Sequence, residues 1–398
     1  MKAVGITAEY NPFHFGHARQ LRQALERSGA EAAVVCLSGD FVQRGECALL
    51  SKAARAEAAV RCGASLVLEL PLPWCMASAE GFARGGVSLL AATGVVDSLS
   101  FGAECDDPAA LRELAASLDS PELGEHLRGE LQSGCSFAAA RERAVGALIG
   151  AERAVLLREP NNILAVEYLR AASRCPEIKN VYAVPRRGSV HDGTGSASQL
   201  RERIAAGGSV EKLMPEASFA VLQRELAAGR SPVTMPQLEQ ALLSRLRLCT
   251  REDFLRCPDV SEGLENTLYS AAQEAPDWES LLTGCKSRRY ALARLRRVLL
   301  SAALGVERGM NAPPPPYLRV LAADEKGTAL LHEMRERAAL PVIVKSVGGR
   351  ELPGEAGRVF ALTAAARDLY ALGFPSPQER QGGADWRLTP YIMKERRE

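Results

Sequence analysis

Thr7-Ala8-Glu9-Tyr10-Asn11-Pro12-Phe13-His14-Phe15-Gly16-His17-Ala18-Arg19-Gln20 is a polar turn set between two apolar patterns, and the architecture follows from it. Before it, residues 2–6 are an apolar run of strand length; after it, residues 18–28 carry apolar positions at helical spacing. The chain therefore opens as strand, turn and helix. The alternation continues outward, with apolar runs at 32–37 and 65–70 around an amphipathic stretch at 52–62, a βαβαβ order. Helices are expected at 77–92 and 136–149, and a further strand at 181–184. This pattern predicts a Rossmann-like, doubly wound α/β domain with a parallel sheet, whose ligands lie beyond the carboxyl ends of its strands.

The 398 residues exceed what a single core usually supports, and 47% hydrophobic with 24% charged residues is a globular composition. Beyond residue 208 the pattern turns helical, as at Leu238, Ala241, Leu242 and Leu246. Four prolines at 313–316 cannot continue a helix and read as a stiff connector. After them come a strand at 318–322, a helix at 328–339, a strand at 341–345 and a helix at 360–373. Three domains are expected: a catalytic nucleotide-binding domain over 1–208, a helical domain over 209–312 and a small α/β module over 313–398.

A net charge of +1 excludes a uniformly cationic nucleic-acid binder, so any RNA surface must come from local clustering. Ten scattered cysteines form no CxxC pair and no zinc spacing, which assigns no metal site and reads as reduced thiols. No segment approaches the roughly 18 apolar residues of a membrane span, and the start turns polar too early for a signal peptide. A soluble cytoplasmic protein without membrane association is expected.

Two of the five histidines, His14 and His17, stand in the opening turn. Gly16 lets a ligand press against backbone, and the amides at the helix start converge with both imidazoles on one place. That place suits a polyphosphate. When a nucleophile attacks an α-phosphate, charge builds on the equatorial oxygens and the departing pyrophosphate, and fixed imidazole and amide donors stabilise it. The alternative for both histidines is a polar turn of no functional consequence; His126 and His332 have no such surroundings and read as structural.

Other polar segments follow strands. Residues 38–46, SGDFVQRGE, form a polar loop after the second strand, where loops face the ligand crevice. Lys52 and Arg55 behind it could reach anions or simply form a solvated helix face. Gly102 in SFGAE allows close approach of an adenosine or makes a tight turn. Ser196, Ser198 and Arg201, in SASQLR, combine hydroxyls and free amides at a helix start with an arginine one turn inward, which reads as a phosphate clamp, although a plain helix cap would explain either serine alone.

Taken together, AEYNPFHFGH, SGDFVQRGE, LELP, SFGAE, EPNNILAVEY and SASQLR resemble the HIGH-type nucleotidylyltransferase superfamily and, within it, the bacterial tRNA(Met) cytidine acetate ligase family. The likeness runs through KSRRYALARLRR and YLRVLAADEKG, nearly the whole chain. It implies ATP-dependent activation of acetate as acetyladenylate, without use of acetyl coenzyme A, and transfer to N4 of the wobble cytidine of elongator tRNA(Met). It places ATP, which usually carries Mg2+, on Thr7 to Gln20, Gly102, Asn162, Arg186 and Arg187, with His14 and His17 catalytic. The sequence departs from the family pattern at Asp40, where asparagine is implied, at Cys47, where proline is implied, and at Thr7, usually more apolar. Those departures bear on loop detail; the histidines and later arginines are intact.

Residues 286–297 hold Lys286, Arg288, Arg289, Arg294, Arg296 and Arg297 with no acidic residue, and Leu292, Leu295, Val298 and Leu299 would leave much of that charge on the outer faces of a helix. This is either a track for a tRNA phosphate backbone, with Tyr290 for stacking, or a solvated basic helix. Lys394, Arg396 and Arg397 could extend it. Two other readings stand beside the ligase: an adenylyltransferase acting on a small phosphorylated precursor, and a non-catalytic ATP-sensing RNA-binding protein. No protein partner is implied.

Overall fold

The computed structural model describes residues 1–186, 196–261, 263–287 and 290–394. Its first strand, β1 (Ala3–Ala8), is buried almost throughout, and so is β2 (Ala32–Ser38). Burial on both faces explains why these strands read as continuous apolar runs rather than as alternating ones. Ala33, Val35 and Leu37 face a core built with the helices Phe15–Ser28 and Lys52–Arg61, while Ala32, Val34 and Cys36 face the core on the opposite side, with Phe82, Val87 and Leu90 of helix Ala79–Ala91.

A short hairpin, β3 (Phe41–Val42) and β4 (Glu46–Cys47), follows β2 within the stretch expected as an irregular polar loop. Its apolar residues Phe41, Val42 and Cys47 are buried, which holds the hairpin against the body of the protein. The sheet continues with β5 (Leu66–Leu70), β6 (Val96–Ala103) and β7 (Asn180–Pro185), and then with β8 (Leu318–Ala323), β9 (Val342–Ile343) and β10 (Tyr391–Ile392). Its order is β10-β8-β5-β2-β1-β6-β7, with β9 also on β8. Every pairing is parallel except β5 with β8, which is antiparallel.

That order locates the ligand crevice. The sheet grows from β1 toward β2 on one side and toward β6 on the other, so β1 stands at the switch point whose carboxyl end binds ligands in open α/β sheets. Register brings Ala8 beside Leu37, and Ala103 beside Pro185, so the segments that follow these strands emerge together. Gly86 permits the close packing beneath: a Cβ there would come within 2.5 Å of the Thr7 hydroxyl.

The helical region contains Glu216–Ala227, Met235–Arg247, Leu264–Glu274, Trp278–Cys285 and Leu292–Leu304. Leu238, Leu242 and Leu246 are buried as their spacing requires, and Leu243 joins them while Ala241 is only half-buried. The closing strand, helix and strand form as expected, the helix being Glu325–Arg337, and their strands join the one sheet with β1, β2, β5, β6 and β7 through β5. Among the described residues no helix is long and apolar enough to cross a membrane.

Candidate active site

Helix Phe15–Ser28 begins on His14, whose extended backbone (φ −138°, ψ 177°) makes it the N-cap. The His14 Nδ1 accepts from the Gly16 amide at 3.0 Å, and the His17 Nδ1 accepts from the His14 amide at 3.3 Å. Two imidazoles thus form the reciprocal capping box usually made by a hydroxyl and a carboxylate. Because the Nδ1 of His17 accepts, the proton of its neutral ring resides on Nε2, as a donor. Their centroids are 3.9 Å apart. Gly16 is required by this cap: a Cβ there would lie 2.7 Å from His14 Cε1.

The buried rings of Tyr10 and Phe13 pack on His17 at 4.9 and 5.7 Å. Burial, followed by the neighbouring His14 and Arg186, holds the His17 pKa well below the usual histidine range, and the Pro12 carbonyl offsets only part of this. His17 is accordingly uncharged at neutral pH and acts as a hydrogen-bond donor rather than a fixed cation.

A cavity of about 740 Å³ opens over this turn. Thr7 to Asn11 and His14 to Gln20 line it, whereas Pro12 and Phe13, expected at the ligand, are buried behind it. Gly102, Arg186, Ser196, Ser198 and Arg201 line it as expected. Asn162 does not: it is buried, its Oδ1 accepting from the Cys105 amide at 2.8 Å and its Nδ2 donating to the Leu156 carbonyl at 3.2 Å. The neighbouring Asn161 faces the cavity instead and accepts from Arg186 Nη1 at 2.8 Å. Arg187 lies outside the described residues.

The opposite wall is the start of helix Ala197–Ala205. Ser196 caps it reciprocally with Gln199, and Arg201 donates to the Asn11 carbonyl at 3.0 Å and to the Ser198 hydroxyl at 3.1 Å. This arginine ties the histidine turn to the serine-rich helix start across 190 residues of sequence. Glu104 receives the Asn161 side chain and, at 2.8 Å, the Asn162 amide, which anchors the floor beneath Arg186. Gly102 has a local reason to be glycine, since a Cβ would come 3.1 Å from Arg186 Cγ.

Several cavity residues carried no signal strong enough to single them out. Phe82, Phe101 and Tyr168 form an apolar wall, Phe101 and Tyr168 being stacked at 5.4 Å. Arg44 enters from the hairpin. Glu9, which lies within the stretch expected at the ligand, accepts from the Gln43 amide at 3.0 Å, and burial raises its carboxyl despite the opposing charges of Arg44, Arg201 and Arg55. Motifs SFGAE, SGDFVQRGE and EPNNILAVEY contain four of these residues (Phe101, Arg44, Glu9's partner Gln43, and Tyr168), but aromatic core positions and cavity walls look alike in a sequence.

Lys52 and Arg55 are neither phosphate ligands nor a solvated face. Lys52 Nζ pairs with Glu69 at 2.6 Å and with Asp385 at 2.9 Å. Arg55 is fully buried and donates to the carbonyls of Glu9, Ser38, Gly39 and Leu50. Asp40 accepts from the Lys52 amide at 2.7 Å and from Arg367 at 3.4 Å, so the acid at this position gains a cationic neighbour.

The basic segment differs from its expectation. Its helix, Leu292–Leu304, begins after Lys286, which is exposed ahead of it, and Leu292 is 40% exposed while Leu295, Val298 and Leu299 are buried. Arg294 donates to the Asp259 carbonyl at 2.9 Å and lies over the Tyr290 ring at 4.7 Å. Arg296 pairs with Glu46, and the mostly buried Arg297 faces Asp259 at 3.5 Å. Much of this charge is therefore answered inside the protein, because Asp259 and Glu46 come from other segments. Arg288 and Arg289, with Arg396 and Arg397, lie outside the described residues. Among those described, no group of three or more His, Cys, Asp or Glu gathers that could hold a metal ion.

The model of the HIGH Nucleotidyl Transferase family matches residues 1–385. The chain is 34% identical to a tRNA(Met) cytidine acetate ligase of Acetivibrio thermocellus, over 99% of this chain and 100% of that protein. It is 39% identical to the ligase of the same name from Syntrophotalea carbinolica, over 86% and 84%. Its structure superposes with a TM-score of 0.92 on Thermotoga maritima TmcAL bound with alpha-thio ATP, at 33% identity, covering 99% of this chain and 100% of that one.

Proposed function

The chain belongs to the HIGH nucleotidyl transferase family and, within it, to the tRNA(Met) cytidine acetate ligases, and from that premise we propose how its site works. The protein activates acetate with ATP and transfers the acetyl group to N4 of the wobble cytidine of elongator tRNA(Met). An acetate oxygen attacks the α-phosphorus in line, the bond to the bridging oxygen breaks, and pyrophosphate leaves. The cytidine N4 then attacks the acetyl carbon, AMP departs, and a proton is lost from nitrogen. Adenylation is needed because hydroxide is a poor leaving group and N4 a weak nucleophile.

The observation that carries this reading is the double-imidazole cap at the carboxyl end of β1, facing Ser198 and Arg201 across one cavity. Donors already held by backbone bonds need not reorganise as charge develops on the phosphate. His14 and His17 serve the α-phosphate, Arg186 and Arg201 the anionic oxygens, and the wall of Phe82, Phe101 and Tyr168 shields the anhydride from water. Magnesium would arrive on the ATP phosphates, which supply its oxygen ligands. Residues 1–208 would carry activation, residues 209–312, including Lys286 and Arg296, contact tRNA, and 313–398 brace the sheet. Its ten cysteines stand as free thiols, in keeping with a cytoplasmic setting where tRNA is found.

The test is to supply ATP, magnesium, radiolabelled acetate and bulk bacterial tRNA without coenzyme A, digest the RNA and look for labelled N4-acetylcytidine. Label is expected with the wild-type protein, and His17→Ala should lose about 10²-fold or more in acetate-dependent pyrophosphate release. Pyrophosphate without labelled RNA would put the acceptor in error. Neither product would favour the precursor adenylyltransferase or the non-catalytic binder.

A further inference from the structure

A second cleft, of about 600 Å³, adjoins the ATP cavity. The two share Gln43, Arg44, Glu46, Ser198 and Arg201, so only the hairpin tip and the start of helix Ala197–Ala205 separate them. The far wall is the first two turns of helix Leu292–Leu304, through Ala293, Arg296 and Arg297. Four arginines against two glutamates line this cleft, an excess of positive charge.

Its walls are held in place. The turn joining β3 and β4 closes through the Gly45 amide on the Val42 carbonyl at 2.9 Å. Gly45 has φ +73°, and a Cβ there would lie 2.7 Å from the Arg297 backbone nitrogen, so the hairpin tip sits directly on the basic helix. Glu46 and Arg296 pair across that contact. On the other side Arg201 is fastened to the Asn11 carbonyl. Arg44, at the tip, is exposed and has no hydrogen-bond or ion-pair partner among the described residues.

We infer that this cleft receives the acceptor nucleotide of the RNA, turned out of its loop, with Arg44 and Arg296 against the flanking phosphates and the base directed past Ser198 into the ATP cavity. The inference rests on the ligase reading. Base-modifying enzymes must take their target out of the stack, and single-stranded loops are the RNA segments whose bases can be splayed. A cationic cleft that opens into the nucleotide cavity and extends beyond the residues assigned to ATP meets that demand. Bound RNA would compete with Glu46 for Arg296, so the ion pair closes the cleft lip until phosphate replaces the carboxylate.

Ala293 and Glu202 line the second cleft from opposite walls and do not line the ATP cavity. Ala293→Trp and Glu202→Trp should each fill it. Two rates are compared: acetate-dependent ATP–pyrophosphate exchange, and acetyl transfer to tRNA. Transfer is expected to fall at least about thirtyfold further than exchange in both variants, with Ala293→Ser near wild type in both assays. Transfer unchanged in either tryptophan variant would overturn the inference, and so would equal loss of both rates in the pair, which would assign the cleft to activation. A wild-type protein that exchanges pyrophosphate but never acetylates tRNA would instead bring down the ligase reading itself.

Discussion

His14 and His17 do two jobs with different atoms. Each ring caps the start of the helix through Nδ1 and also lines the ligand cavity, so the fold holds both imidazoles in place without a second set of supporting residues. Gly16 completes the device, since the His14 ring occupies the space a side chain would need. In Gly16→Ala the ring, not the backbone, should give way. Acetate-dependent pyrophosphate exchange is expected to fall about 10²-fold, as for a displaced oxyanion donor, while stability falls only about 1 kcal/mol, the worth of a helix cap. Kinetics and urea denaturation on one preparation would separate the two effects. Near-wild-type exchange would mean that the His14 ring position does not matter to the chemistry.

Among the elements, the β3–β4 hairpin matters most for function, because it supplies Gln43, Arg44 and Glu46 to both cavities. Its seat on helix Leu292–Leu304 depends on Gly45, which combines a left-handed backbone with contact against the backbone of Arg296 and Arg297. Gly45→Ala places an L-side chain at a cost of about 1–2 kcal/mol for the conformation, and forcing the hairpin off the helix adds about 1–3 kcal/mol. The expected result is a clearly lower urea midpoint together with faster proteolysis in residues 41–47. An unchanged midpoint would mean that the hairpin rides free of the helix. The helix Ala197–Ala205 is anchored differently, by the Arg201 bond to Asn11, so its serines cannot drift from the histidine turn.

For the whole molecule, the sheet is closed on one side by a segment from the far end of the chain. Glu69 on β5 stands opposite Arg319 on β8, and Lys52 and Asp385 complete a fully buried set of two cations and two anions. Arg319 meets Asp385 at 2.7 Å and Glu69 at 2.8 Å. Such a set does little for net stability compared with apolar packing, but removing one member strands an unpaired charge in the core. Asp385→Ala is expected to destabilise the protein by about 3–5 kcal/mol, measured by urea unfolding, and to loosen β8 from β5. A loss under about 1 kcal/mol would mean that water reaches the remaining three charges.

The sequence by itself determined the opening strand, turn and helix, the placing of the histidine turn, the serine-rich helix start and the family, because each is written within a few turns of chain as periodicity, a cap or a compact motif. It could not tell Asn161 from Asn162, since both open one helix and only packing turns one toward the cavity. Nor could it show that Lys52 is spent on Asp385, 333 residues away, or that Arg294 and Arg297 turn toward Asp259 rather than outward. The antiparallel arrival of β8 and the cleft beside the ATP cavity belong to the same class. Burial and the choice of charge partner arise where distant segments meet, and no local pattern of residues records which segments those will be.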